Sequence, residues 1–298
     1  MQTQYVEKIA DEIGAKPVQV QATMALLADG ATVPFIARYR KEATSGLDEV
    51  AIAGIRDKAA QIEELDKRRA SILKSLTQNG HLNEDLEARV MAAENLSSLE
   101  DIYLPYRPKR RTRAMVAREK GLEPLADAIF AQNGTDPFQA ATDYLDPEND
   151  VDSVETALCG ARDIIAERIN ENEDARGALR QLFSSRAQLT STVVKDKERE
   201  GAKYRDYFEW SESAATAPSH RILAIRRGEK EDFLNMSILP PEAEGIKLLR
   251  EQFVTSTGTD GEQVELAVSD AYRRLMSRAM ETEIRLSTKE RADAEAIK

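Results

Sequence analysis

Seven arginines and lysines fall between Tyr103 and Lys120, in YLPYRPKRRTRAMVAREK, against a single glutamate. That is a charge of +6 in 18 residues, and it leaves −17 on the other 280 of a 298-residue chain whose net charge is −11. A segregated cationic block of this kind can neutralise phosphates, and neighbouring tyrosines can stack on bases. The residues concerned are Arg107, Lys109, Arg110, Arg111 and Arg113, with Tyr106 beside them. A smaller stretch, Arg38, Arg40 and Lys41 in RYRK, repeats the pattern. Arginine also ties helices together through carboxylates and helix C-termini, and this chain has 53 Asp and Glu to receive it. Both readings stand for RPKRRTR. For RYRK the structural reading leads, because the VPFIA before it reads as buried. Val33, Phe35 and Ile36 are expected to pack the N-terminal helices against the start of a long helix at Leu47. Arg38, Arg40 and Lys41 then either bridge to acidic helices or form a phosphate-facing edge.

Other chemistry finds little support. There is no G-x-x-x-x-G-K-[ST], no G-x-G-x-x-G and no G-x-S-x-G, so the usual nucleotide cradles and the hydrolase elbow are missing. The carboxylates sit mostly in helical charge patterns and read as solvated faces. Cys159, between Leu158 and Gly160, reads as a buried structural thiol. With His81 and His220 it has no metal-ligand spacing. His220 follows Pro218-Ser219 at a helix start, where capping or packing is the simplest role. No catalytic, metal-binding or cofactor-binding residue is expected. A nuclease acting through clustered carboxylates and Mg²⁺ is the remote alternative.

The elements that carry the basic stretches follow from composition and periodicity. Apolar residues make up 41%, charged residues 32% and aromatics only 5%, which favours a mainly α fold over β-sandwiches. The acidity argues against the whole surface being a nucleic-acid platform, though not against a local patch. A single cysteine rules out a disulfide within the chain and suits a reducing, cytoplasmic compartment. No stretch of 18 apolar residues exists, so no membrane is expected as a partner. Three short helices are expected in the first forty residues, ended by Gly14 and Gly30, with the third starting near Pro34; they resemble a helix-turn-helix bundle. A long helix follows, opened by a Ser45/Asp48 capping box and stopped by Asn79-Gly80. A second box, Ser97/Glu100, opens the element before Pro105 and Pro108 break the helix. From Val151 the pattern is again helical. Leu179, Leu182, Phe183, Leu189 and Val193 suggest one long helix, and PSHRILAIRRG another, closed near Gly228. At most a short strand is expected, near residues 233–239, stopped by Pro240-Pro241. The last helical element begins near Glu262. Three regions result: a bundle over 1–45, a long helix and basic loop over 46–145, and a helical scaffold over 146–298.

The segments TVPFIARYRKEATSGLDE, LEDIYLPYRPKRRTRAMVAREKGLEPLAD, YFEW, PSHRILAIRRGEKE and DAYRRLMSRAMETEIR, in this order, resemble the N-terminal part of the bacterial transcription accessory protein Tex family. The resemblance covers essentially the whole chain. It implies an elongated, largely helical cytoplasmic factor without catalytic activity. Such a factor has a helix-turn-helix-like start and a long central helix. An RNase H-like domain, helix-hairpin-helix motifs and a nucleic-acid-binding OB-fold lie further along the family's chains. It implies that this chain stops where the RNase H-like domain begins and that RNA or DNA binding by it is weak. Transcription or translation machinery is the protein partner the resemblance suggests, and docking such a partner is the alternative function.

Overall fold

A computed structural model describes residues 2–297. Among them the chain forms fifteen α-helices and one three-stranded sheet, a mainly α architecture as expected. It divides into two units, Met1–Tyr106 and Arg107–Lys298.

The first unit is organised around one helix. α1 (Gln2–Ile13), α2 (Pro17–Ala28) and α3 (Val33–Tyr39) lead into α4 (Glu49–Gln78), and α5 (Glu84–Ala92) and α6 (Leu96–Tyr103) follow. Gly14 and Gly30, at φ +72° and +85°, end α1 and α2 in the left-handed conformation that glycine reaches without strain. The 30 residues of α4 span about 45 Å, too long for one core to cover. Its first half packs Ile52 and Ile55 against Ile9, Val20, Val33 and Ile36 of α1, α2 and α3. Its second half packs Leu65, Ile72 and Leu76 against Leu86, Val90, Leu99 and Ile102 of α5 and α6. The helix starts differ from expectation. Asp48, not Ser45, caps α4 by accepting a hydrogen bond from the Ala51 N–H at 2.8 Å. Ser45 instead takes a left-handed turn conformation at φ +50°. Asn95, not Ser97, caps α6, accepting from the Ser98 N–H. Asp48 and Asn95 cap because each stands immediately before the first helical residue, where its side-chain oxygen reaches a free N–H of the first turn.

In the second unit, α7 (Arg113–Glu119), α8 (Glu123–Ala131) and α9 (Pro137–Ala141) surround α10 (Val154–Asn170), which is followed by α11 (Glu173–Arg186). The sheet comes from β1 (Gln188–Val193), β2 (Glu209–Ser213) and β3 (Leu234–Leu239), with α12 (Ser219–Lys230) between the last two. α13 (Glu242–Phe253), α14 (Thr259–Asp270) and α15 (Ser277–Ile297) complete it, α14 and α15 being joined by a π-helical turn at Ala271–Met276. The main core centres on α10: Leu158, Ile164, Ile165 and Ile169 meet Ala117, Leu125, Ile129, Val264 and Val268. β1 lies between antiparallel partners, with Leu189 opposite Glu212 and Ile238. Leu189 and Val193 were expected in a helix. The structure ends that helix at Arg186 and extends the next residues as a strand, because Thr190, Thr192 and Val193 are β-branched and suit the pleat. The expected strand near 233–239 is β3. Gly228 does not close α12 but lies buried inside it: a Cβ there would sit 2.6 Å from Leu234 Cδ1, so the glycine lets β3 pack close.

Candidate nucleic-acid interface

The basic segment 107–120 lies at the start of the second unit. Pro105 and Pro108 keep its first residues out of a helix. Thr112 then opens α7: its hydroxyl oxygen accepts from the Met115 N–H at 3.1 Å, and the hydroxyl donates to Glu167 Oε1 at 2.9 Å. Glu167 is on α10 and only 7% exposed. Arg118 donates to its other oxygen at 2.6 Å, and the Lys109 ammonium lies 3.8 Å away. Lys109 also donates directly to Glu171, the residue that caps the C-terminal end of α10. Two carboxylates, one on α10 and one at its C-terminal cap, therefore gather a lysine, an arginine and a threonine from the basic segment and hold it on the helix.

The electrostatics reflect that arrangement. Burial alone would raise the Glu167 carboxyl, but the hydrogen bonds from Arg118 and Thr112 and the charge of Lys109 hold it below the usual carboxylate range. Glu171 goes the other way: burial, with the like charge of Glu167, outweighs Lys109 and pushes it up. Burial also pushes Asp163 up, against the pull of Arg274 and Arg113.

The remaining cations divide into engaged and free. Arg111 pairs with Glu119, and Lys120 donates to the Asp150 carbonyl at 3.0 Å. Arg113 is exposed and acts on Asp163 only through its charge. Arg107 and Arg110 are exposed and make no hydrogen bond or ion pair among the described residues. They stand on a segment whose neighbours are anchored, so their guanidinium groups face solvent from a fixed base.

Tyr106 ends the first unit, half-buried against the second core of α4. Its ring lies 5.7 Å from that of His81. In the same unit, Arg38, Arg40 and Lys41 are all exposed. Their sole ion pair among the described residues joins Arg40 to Glu42 at 3.9 Å, with both side chains at least half exposed. Such a pair contributes little. The expectation that VPFIA is buried needs correction at two residues, Pro34 and Phe35, both of which are exposed. Val33, Ile36 and Ala37 face Ile52 in the core, but Phe35 is 42% exposed. Position 35 is two residues beyond 33, about 200° around a helix, and so faces away from the core.

Cys159 is exposed, not buried; the inward positions of α10 around it are Ala157, Leu158 and Ala161. His220 is exposed in the first turn of α12. Among the described residues, no three His, Cys, Asp or Glu side chains cluster so as to hold a metal ion. None of the described helices is long and apolar enough to cross a membrane. Sequence reasoning missed the outward ring pair Phe35 and Tyr39, although their spacing of four residues was the available signal.

Comparison with known proteins gives a uniform result. Residues 132–298 match the family described as Tex central region-like, and residues 3–77 match the Tex-like protein N-terminal domain. The chain is 47% identical over 233 residues to Protein tex of Bordetella pertussis, covering 78% of this chain and 30% of that protein. It is 40% identical over 297 residues to the transcriptional accessory protein Tex of Neisseria gonorrhoeae, covering 97% of this chain and 39% of that protein. It is 25% identical over 243 residues to the human S1 RNA-binding domain-containing protein 1, covering 78% of this chain and 24% of that protein. The chain thus spans well under half the length of these relatives.

Proposed function

The chain belongs to the Tex family, and from that premise we propose that it is a non-catalytic helical scaffold of a transcription accessory factor. In this reading it touches nucleic acid through sequence-independent phosphate contacts. The observation that carries the reading is the division of labour in the basic segment. Lys109, Thr112 and Arg118 are used up on Glu167 and Glu171, while Arg107 and Arg110 face solvent unpaired and Arg113 is exposed beside them. Exposed guanidinium groups on an anchored segment suit phosphate oxygens, whose geometry a planar fork matches. Contacts of that kind position a backbone and carry no base information, so little sequence preference is expected.

The naming of relatives supports the reading further. One is called a transcriptional accessory protein, and another an S1 RNA-binding domain-containing protein. The acidic balance of the rest of the chain limits affinity, because phosphates are repelled wherever the basic segment does not face them.

The test is fluorescence anisotropy of the chain with single-stranded RNA and with duplex DNA, repeated between about 50 and 200 mM salt. Binding that weakens steeply with salt supports the reading. No binding at micromolar concentration under low salt contradicts it and moves the function to a protein partner.

A further inference from the structure

The helix α3 presents two different faces. Its aliphatic residues Val33, Ile36 and Ala37 all turn inward onto α4. Its outward face, beside Pro34, carries rings and cations. Phe35 and Tyr39 are 42% and 67% exposed, four residues apart, with ring centroids 5.5 Å apart and tilted at 43°. The Arg40 guanidinium lies 5.7 Å from the Phe35 centroid, and Arg38 and Lys41 are exposed alongside.

The platform beneath these groups is fixed. The Arg40 N–H donates to the Ile36 carbonyl, and the Ala43 and Thr44 N–H groups donate to the Arg40 carbonyl. The Gly46 N–H returns to the Lys41 carbonyl at 2.9 Å. Thr44 is fully buried, and Gln19 of α2 donates to its carbonyl at 3.0 Å. Phe35 and Tyr39 thus form one contiguous exposed aromatic pair, with a guanidinium beside it, on a well-anchored base.

The geometry points to a single-stranded nucleic-acid contact on α3, in which Phe35 and Tyr39 stack on unpaired bases while Arg38, Arg40 and Lys41 meet the flanking phosphates. The occupant follows from the chemistry of the patch. A paired base in a duplex has both faces covered by its neighbours and cannot use the rings. An acidic peptide without aromatic side chains would use the cations but not the rings, whereas a strand with exposed bases carries a flat ring and an anion in every unit and engages both kinds of group at once. The aliphatic residues of α3 that would complete a hydrophobic docking surface are in the core. This inference rests on the nucleic-acid reading above and adds to it a second contact, on the first unit, of different selectivity.

The test compares binding of the chain to a fluorescent oligouridine of about 12 nucleotides, within the span one such site covers, and to a duplex DNA of equal length. Three double variants are used: Phe35→Leu with Tyr39→Leu, Phe35→Ala with Tyr39→Ala, and Arg107→Ala with Arg110→Ala. The leucine pair keeps apolar bulk without a π face and guards against misfolding, and helix content is followed by circular dichroism. Both ring variants are expected to weaken oligouridine binding about tenfold or more and to leave duplex binding unchanged. The Arg107/Arg110 variant is expected to weaken both. If oligouridine binding survives in the ring variants and falls in the Arg107/Arg110 variant, the α3 contact is wrong and the proposed function stands. If the unsubstituted chain binds neither probe, the proposed function fails and this contact with it. If labelled polyglutamate binds as tightly as oligouridine and is lost in the same ring variants, the patch takes an anionic protein and the inference is overturned.

Discussion

The two basic stretches of this chain meet opposite fates. In segment 107–120, Lys109 and Arg118 are drawn onto Glu167 and Glu171, and Thr112 joins them. In segment 38–41 no cation is used to hold the fold beyond one weak pair at 3.9 Å. The difference lies in the carboxylates within reach. Glu167 in the last turn of α10 and Glu171 at its cap both meet the basic segment, and their burial makes an unpaired charge there expensive. Among the described residues no buried carboxylate pairs with the cations of segment 38–41, and the inward residues of α3 pack in an aliphatic cluster. A long arginine-rich run is therefore partly structural, and a short one is left almost wholly to solvent.

The contrast can be broken or sharpened by substitution. The largest effect is expected where α3 meets α4. Ile36→Ala removes a fully buried side chain and should destabilise the first unit by about 2–4 kcal/mol, read from the urea midpoint. Glu167→Ala should come next, at about 1–3 kcal/mol in the second unit. It removes the acceptor for both Thr112 and Arg118, although Arg118 and Lys109 can turn partly to water. If Glu167→Ala were silent, the basic segment would not be anchored as described.

The two glutamates also make a prediction about pH. Glu167 is held below its ordinary range, so in acid the folded chain binds fewer protons than the unfolded one, and stability falls with pH below about 4.3. Glu171 is raised, so its own contribution has the opposite sign: its protonation in the fold favours the folded state as pH drops. Glu167→Gln should therefore flatten the acid-side loss of stability, and Glu171→Gln should steepen it. Urea unfolding followed across the acid range separates the two. The smallest effect is expected on the other side of the comparison. Arg38→Ala with Lys41→Ala should change stability by no more than about 0.5 kcal/mol, because neither side chain holds the fold.

Much of this arrangement was legible in the sequence. The helices of the first unit could be placed from Gly14, Gly30 and the Asn79-Gly80 stop, since glycine readily takes the left-handed conformation that ends a helix. The basic block was visible as a charge excess, and strand β3 from its flanking prolines. What could not be read depended on partners distant in sequence. The link from Lys109 to Glu171 spans 62 residues, and nothing local to either marks it. β1 was hidden because Leu189 and Val193 continue a helical spacing from Leu182, and only pairing with β2 and β3 settles the strand. The exposure of Phe35 was hidden because an apolar run on a seven-residue helix has too few turns to show which face is inward.

The most direct test of the central claim compares free with engaged cations by the salt slope of RNA binding. Arg107→Ala with Arg110→Ala should lower the slope of log K against log salt by about 1.4–1.8, two phosphate contacts' worth. Lys109→Ala should lower stability and leave the slope within error of the unsubstituted chain. An unchanged slope in the Arg107/Arg110 variant, or an equal loss in Lys109→Ala, would contradict the assignment of the exposed arginines to phosphate.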